Sequence, residues 1–251
     1  MPRNVPAGYE RVLLDGIELV ARHDVASSLR SALESGTLYE YASRQPEARL
    51  LTGRTIAYAA PLPTGPRVVI RHNRHGGMLA RYTGDRFLWP TRAPHELRVA
   101  LRLAQEDVAT PEVLGYALYA AGPLVRRSDV VTREIMNAQD LATELGSIGE
   151  GPDRSAVFAA TIELIRALVR AGAVHHDLNL KNVLITRLTG RRPAALVLDV
   201  DRVEFRIPGS ADVAAANLRR FLRSARKWER LHQLRFLPGE LDRLGSEVLA
   251  R

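Results

Sequence analysis

The chain has 251 residues, 46% apolar and 25% charged, enough for one large core or two smaller lobes and unlike a disordered tail. It has no cysteine, which excludes disulfides, thiolate metal sites and cysteine nucleophiles. The formal charge of +8 rests almost wholly on arginine, since lysine occurs only at Lys181 and Lys227.

The opening segment MPRNVPAGYERVLLDG lacks an apolar leader core, and no stretch approaches 18 uninterrupted apolar residues. The expectation is therefore a cytoplasmic chain that does not span a membrane. RVLLDGIELVA, around Asp15-Gly16, and TIAYAAPLPTGPRVVIRH, around Pro63 to Pro66, read as hairpins of alternating strands. Between them DVASSLRSALESG predicts a short helix with Asp24 as its N-cap and Gly36 as its stop. TRAPHELRVALRLAQ places Leu97, Ala100, Leu101 and Ala104 at helical spacing beside Glu96, and PEVLGYALYAAGPLVRRSDVVTREI returns to strand alternation. From AQDLATEL onward helix dominates: DRSAVFAATIELIRALVRAG is long, carries one apolar face and ends at Gly172. The composition changes near Glu134 to Gln139, which predicts an N-terminal lobe of residues 1–136 and a C-terminal lobe of residues 137–251.

The chemistry gathers in AGAVHHDLNLKNVLI, Ala171 to Ile185, followed by the strand AALVLDVD. Helix, loop, asparagine, strand and terminal acid arrive in that order. Phosphoryl transfer needs a carboxylate near the attacking hydroxyl and oxygen ligands for magnesium, and octahedral magnesium takes few protein oxygens alongside phosphate and water. Asp177, Asn182 and Asp199 supply such a set.

His175 to Asn182 resembles the H-x-D-x-x-x-x-N catalytic loop of the protein-kinase-like superfamily, and Asp199-Val200-Asp201 stands where that superfamily has Asp-Phe-Gly. The resemblance implies an α+β, two-lobed fold with an N-terminal antiparallel sheet lobe and a mainly helical C-terminal lobe. It implies ATP and Mg2+ as cofactors, Asp177 as catalytic base or hydroxyl-orienting residue, Asn182 and Asp199 as metal ligands, and His175 as a packing residue of the loop. Arg71 takes the usual phosphate-clamping lysine position and would pair with Glu96; Gly53 lies in the expected nucleotide loop; Glu134 and Ile135 fall where backbone groups would meet adenine. His176 stands where many protein kinases carry an arginine that grips an activating phosphate, so activation by loop phosphorylation is not expected. Asp201 is followed by arginine in place of glycine, and whether it also touches metal stays open.

The closer resemblance is to lipopolysaccharide-core kinases of the 3-deoxy-D-manno-octulosonic acid (Kdo) kinase family. VVIRHNRHGGMLARYTGDRFLW with its Gly76-Gly77 pair, TRAPHELR, HHDLNLKNVLI, LDVDR and NLRRFLRS carry it, from about Gly53 to Lys227. No peptide platform follows the metal aspartate, since DVDRVEFRIPGSADVAAANLRRFLRSARKW runs almost straight into a helix. The resemblance implies ATP-dependent phosphorylation of a Kdo hydroxyl on a lipid-linked sugar, a Kdo-lipid A precursor, at the cytoplasmic face of the inner membrane.

Arginine enrichment reflects genome composition or a need to bind phosphate or anionic lipid, and the two readings are compatible. In the basic helix 217–230, Leu218, Phe221, Leu222, Ala225 and Trp228 form one face, flanked by Arg219, Arg220, Arg223, Arg226, Lys227 and Arg230. That helix either lies on an anionic membrane surface or packs its apolar face on the lobe, with the arginines open to lipid either way. Two rivals differ in their predictions. A small-molecule kinase of the aminoglycoside or choline type calls for an acidic pocket, whereas this chain is basic. A pseudokinase or basic binding module calls for salt-sensitive nucleic-acid binding without ATP turnover, and the intact Asp177, Asn182 and Asp199 set argues against it. No nucleic-acid partner is expected.

Overall fold

The computed structural model describes residues 5–52, 56–73, 87–88, 91–122, 125–187, 192–232 and 234–250. They divide into two compact units, one comprising positions up to Arg98 with Glu112–Glu134, the other Val99–Pro111 with positions from Ile135 onward. Gly53 and the Gly76-Gly77 pair lie outside the described residues.

The first unit is built on an antiparallel sheet. β1 (Tyr9–Leu14) and β2 (Ile17–Arg22) form the expected hairpin, with Gly16 supplying the positive φ of 69° that its turn requires. β3 (Arg49–Thr52), β4 (Ile56–Pro61), β5 (Arg67–His72), β6 (Phe87–Leu88), β7 (Val113–Ala120) and β8 (Val125–Arg133) complete eight strands in the order β1-β2-β7-β8-β5-β4-β3, with β6 also on β8. Two helices, α1 (Ala26–Leu33) and α2 (Leu38–Arg44), join one core with the sheet, in which Leu29, Leu38 and Tyr41 share burial with Val68, Ile70, Leu114 and Val131. Each such aliphatic side chain contributes about 1.5–3 kcal/mol by leaving water.

Asp24 does not cap α1: Val25 occupies the N-cap position, and the Asp24 carboxylate is taken by the Arg22 guanidinium. α2, unforeseen, is closed by a capping box, Thr37 Oγ1 accepting from the Glu40 N–H while Glu40 Oε2 accepts from the Thr37 N–H. Its first turn is bound to the sheet by a buried network. Asp129, fully buried on β8, accepts from the Tyr39 N–H (2.9 Å), the Tyr119 hydroxyl (2.8 Å) and His72 Nδ1 (2.6 Å). Burial, then the Asp129 charge, pushes the Tyr119 phenol well above its ordinary value, so it remains a donor.

The register of β5 decides which side chains reach its two faces. Val68, Ile70 and His72 are buried, while Arg67, Val69 and Arg71 alternate with them and are half-buried. A slip of one residue would exchange the two sets and put Arg71 among the aliphatic side chains of the core.

α3 (Ala93–Gln105) buries Ala93, Leu97, Ala100 and Leu103; of the expected face, Leu101 is half-buried and Ala104 exposed. Residues 99–111, assigned to the N-terminal lobe from sequence, belong to the second unit. The Val197 N–H donates to the Ala109 carbonyl at 2.9 Å, and the Arg102 guanidinium lies 3.7 Å from the Phe205 ring centroid.

The second unit is mainly helical. In chain order it contains β9 (Ala138–Asp140), α4 (Leu141–Ser147), α5 (Pro152–Arg170), β10 (Ala173–His175), β11 (Val183–Thr186), β12 (Ala194–Val197), β13 (Val203–Phe205), α6 (Ala211–His232) and α7 (Glu240–Leu249). Its strands form two small antiparallel sheets, β12-β11-β9 and β10-β13. α5 ends as expected before Gly172, whose φ of 68° turns the chain into β10. Arg154 on α5, 4% exposed, joins α5 to α7 through both carboxylate oxygens of Glu240 (2.7 and 3.0 Å) and also donates to the Leu145 and Arg235 carbonyls.

Candidate active site

The loop between β10 and β11 is held by its own side chains. His175 is fully buried. Its Nδ1 accepts from the Asp177 N–H (3.1 Å), so Nε2 carries the proton and donates to the Leu198 carbonyl (2.8 Å). Burial pushes the imidazole below its ordinary value, while the Leu198 carbonyl and the Asp199, Asp177 and Asp201 carboxylates pull it the other way. One neutral imidazole thus ties the loop to the residue preceding Asp199, with three carboxylates acting on it.

Asn182 completes the link. Its Nδ2 donates to the Asp177 carbonyl (2.8 Å), which directs Oδ1 the other way, and its own carbonyl accepts from the Leu198 N–H (2.9 Å). Asn179 Nδ2 donates to Asp177 Oδ1 (3.1 Å) and to the Asp177 carbonyl (3.0 Å), while Asn179 Oδ1 accepts from the N–H groups of Lys181 and Asn182, shaping the 3₁₀ turn Leu180–Asn182. Pairing of β11 with β12 puts Val183 opposite Val197, so the chain on either side of that pair carries Asn182 and Leu198-Asp199. Asp199 sits at φ 61°, ψ 43°, a left-handed conformation that aspartate tolerates better than most residues. Asp201 lies in the following turn, Val200–Arg202, and is half-buried.

The donors here suit a hard divalent cation. Asn182 and Asp199 offer oxygen only, and among the described residues no group of three or more His, Cys, Asp or Glu forms a cage. Magnesium, which keeps most of its shell for water and phosphate, matches a site of so few protein oxygens.

Four side chains of α6 anchor this loop, a role that sequence reasoning missed. Asn217, fully buried, accepts from the His175 N–H (3.0 Å) and donates to the Ala173 carbonyl (2.8 Å). Arg220 donates to the His176 carbonyl and Nδ1, both at 3.1 Å, and Ser224 Oγ accepts from the Leu180 N–H (3.2 Å). Trp228 receives the Lys181 ammonium 5.3 Å from its ring centroid, and that ammonium also donates to Asp140 Oδ2 (2.9 Å). Positions 217, 220, 224 and 228 recur at helical spacing, the one signal that was available. The apolar part of the expected helix face is buried at Leu218, Phe221 and Ala225. Arg220, counted from sequence among the cations open to lipid, is turned onto His176 instead.

In the first unit, Arg71 Nη2 donates to Glu96 Oε1 at 2.6 Å, and the Glu96 side chain is only 5% exposed. Glu134 is buried, its carboxylate held by Arg49 (2.5 Å) and Arg67 (2.8 Å), and its N–H donates to the Arg67 carbonyl. Any backbone contact of Glu134 with adenine therefore falls to its carbonyl. Ile135, in the second unit, is half-buried and has no regular secondary structure.

Comparison with known proteins gives this arrangement a family. Residues 51–239 match the model of the lipopolysaccharide kinase (Kdo/WaaP) family. The chain belongs to that family. Curated relatives include a 3-deoxy-D-manno-octulosonic acid kinase from Xanthomonas oryzae pv. oryzae, 34% identical over 179 residues, covering 70% of this chain and 68% of the relative. Another, from Stenotrophomonas maltophilia, is 33% identical over 176 residues, covering 68% and 66%. Among solved structures, WaaP in complex with acyl carrier protein aligns with a TM-score of 0.59 at 16% identity, covering 93% of this chain and 89% of that one. The Rio2 kinase from Chaetomium thermophilum, in an ADP/Mg2+-phosphoaspartate complex, aligns at 0.51 with 16% identity, covering 96% and 72%. The fold is protein-kinase-like, and this Kdo/WaaP family member is a phosphotransferase acting on a hydroxyl group.

Proposed function

We propose that this family member transfers the γ-phosphoryl group of ATP to a Kdo hydroxyl of a lipid-linked acceptor, a Kdo-bearing lipid A precursor. The observation that carries this reading is the catalytic loop itself, in which the Asp177 backbone, Asn182 and the segment entering Asp199 are cross-linked by a neutral His175 and paired strands. Asp177 receives the proton of the acceptor hydroxyl as its oxygen bonds to the γ-phosphorus and the bond to ADP breaks; Asn179, donating to Asp177 Oδ1, holds that carboxylate in place. Asn182 and Asp199 would hold Mg2+, which when bound neutralises charge on the phosphates. Arg71, set by Glu96, is the clamp for the nucleotide phosphates. Gly53, the Glu134 carbonyl and the Ile135 backbone complete the proposed nucleotide contacts.

The acceptor lives in a membrane, and α6 supports docking there. Arg219, Arg223, Arg226, Lys227 and Arg230 are exposed, form no ion pair among the described residues, and recur within an arc of about 100°. Such a stripe suits the anionic cytoplasmic face of the inner membrane. No described helix is long and apolar enough to cross a membrane.

The test offers radiolabelled ATP with a Kdo-bearing lipid A precursor, a peptide and an aminoglycoside side by side. Label on the Kdo lipid alone is expected, and label on the aminoglycoside instead would transfer the assignment to the small-molecule kinases. Asp177→Ala should lower transfer on the order of 10²–10⁴-fold while nucleotide still binds. Arg71→Ala should raise the ATP concentration required.

A further inference from the structure

The His176 side chain is not a ligand of anything in the reading above, yet it is gripped from two sides. Arg220 uses all three of its nitrogens: Nε donates to the His176 carbonyl (3.1 Å), Nη2 to His176 Nδ1 (3.1 Å), and Nη1 to the Ala216 carbonyl of its own helix (3.0 Å). A guanidinium has no acceptor, so His176 Nδ1 must be unprotonated there. The proton then sits on Nε2, which donates to Glu204 Oε2 at 2.8 Å. Glu204 is itself braced by Arg206, whose Nε and Nη2 both reach its carboxylate at 3.1 Å. The His176 N–H is also used, donating to the Arg202 carbonyl (3.0 Å). The residue immediately before Asp177 is therefore fixed at its amide, its carbonyl and both ring nitrogens.

We propose that Arg220 and Glu204 are positioning residues for phosphoryl transfer, which hold His176 in its Nε2-protonated tautomer and thereby fix the backbone that presents Asp177. The clamp consists only of side chains of this chain, so the loop is set without any covalent modification. It depends on the forked geometry of arginine, because one ammonium cannot reach the carbonyl, Nδ1 and Ala216 together. It also depends on an acceptor at the His176 Nδ1 position: a cation there would face the Arg220 guanidinium.

The experiment uses the full chain labelled with ¹⁵N-histidine. The wild type should give His176 nitrogen shifts of an unprotonated Nδ1 and a protonated Nε2, and removing both partners in Arg220→Ala/Glu204→Ala should move those shifts toward a mixture of the two tautomers. Kinetically, and resting on the Kdo-transfer reading, Arg220→Ala and Arg220→Lys should each lower kcat by on the order of tenfold to a hundredfold with the KM for ATP unchanged. His176→Arg should do the same, and so should Glu204→Ala, which removes the acceptor for Nε2. A wild-type spectrum with the proton on Nδ1, full activity in Arg220→Lys or His176→Arg, or a loss confined to KM would overturn the proposal. The nitrogen spectra need no acceptor, so a wild type that transfers nothing to Kdo would end the functional reading and leave the tautomer measured independently.

Discussion

Asn217→Ala is the sharpest probe of how α6 supports the catalytic loop. β10 pairs with β13 through one edge, Val174 standing opposite Glu204, so the Ala173 carbonyl and the His175 N–H point to the other edge. The Asn217 carboxamide satisfies both, at 2.8 and 3.0 Å, from a position with no solvent exposure. Alanine would strand one buried acceptor and one buried donor, each costing about 1–3 kcal/mol, for a total of about 2–6 kcal/mol, toward the low end where a water enters the vacated space. Urea unfolding followed by circular dichroism measures the loss as a lowered midpoint with an unchanged slope, and hydrogen exchange locates it at the His175 amide. A change below about 0.5 kcal/mol, the range of an ordinary surface substitution, would refute the claim that this carboxamide completes the edge of β10.

Gly172→Ala should be destabilised by at least about 1 kcal/mol, since φ is positive there and a Cβ would collide with the Arg206 carbonyl oxygen; a melting curve checks it. Arg154→Met should cost about 3–5 kcal/mol by leaving Glu240 without its buried partner, and adding Glu240→Leu should recover much of that loss in the same denaturation assay. The Glu204 carboxyl, held down to about 2 by Arg206 and then His176, should titrate there in carbon NMR. Because its folded value is depressed, the stability it contributes is present above the ordinary glutamate value near 4.5 and is lost as pH falls toward about 2. Glu204→Gln should therefore be less stable than the wild type at pH 5 and indistinguishable from it near pH 2.

What the sequence disclosed follows from how local each signal is. The Asp15-Gly16 hairpin and the end of α5 at Gly172 were legible because a positive φ beside alternating or periodic apolar residues leaves little choice. The Arg71 to Glu96 pair was legible only by resemblance, since 25 positions separate them. Asp24 misled because a free carboxylate beside a helix start looks like a cap, but Arg22, two residues earlier, claims it. Helix α2 was missed although Thr37-Leu38-Tyr39-Glu40 carries the capping-box pattern; its seven residues are too few to display a period. Asn217, Arg220 and Ser224 were hidden for another reason. Their partners lie 42 to 44 residues away, and polar residues at helical spacing read as a solvated face until the loop they hold is in view.

The near absence of lysine gives the packing of Lys181 on Trp228 a practical side. Amine-reactive reagents have just two side-chain targets in this chain, Lys181 in the catalytic loop and Lys227 beside Trp228 in sequence. Selective acylation at either one would leave the rest of the surface chemically untouched, and the intrinsic indole emission of Trp228 would register a modified Lys181 without any engineered dye.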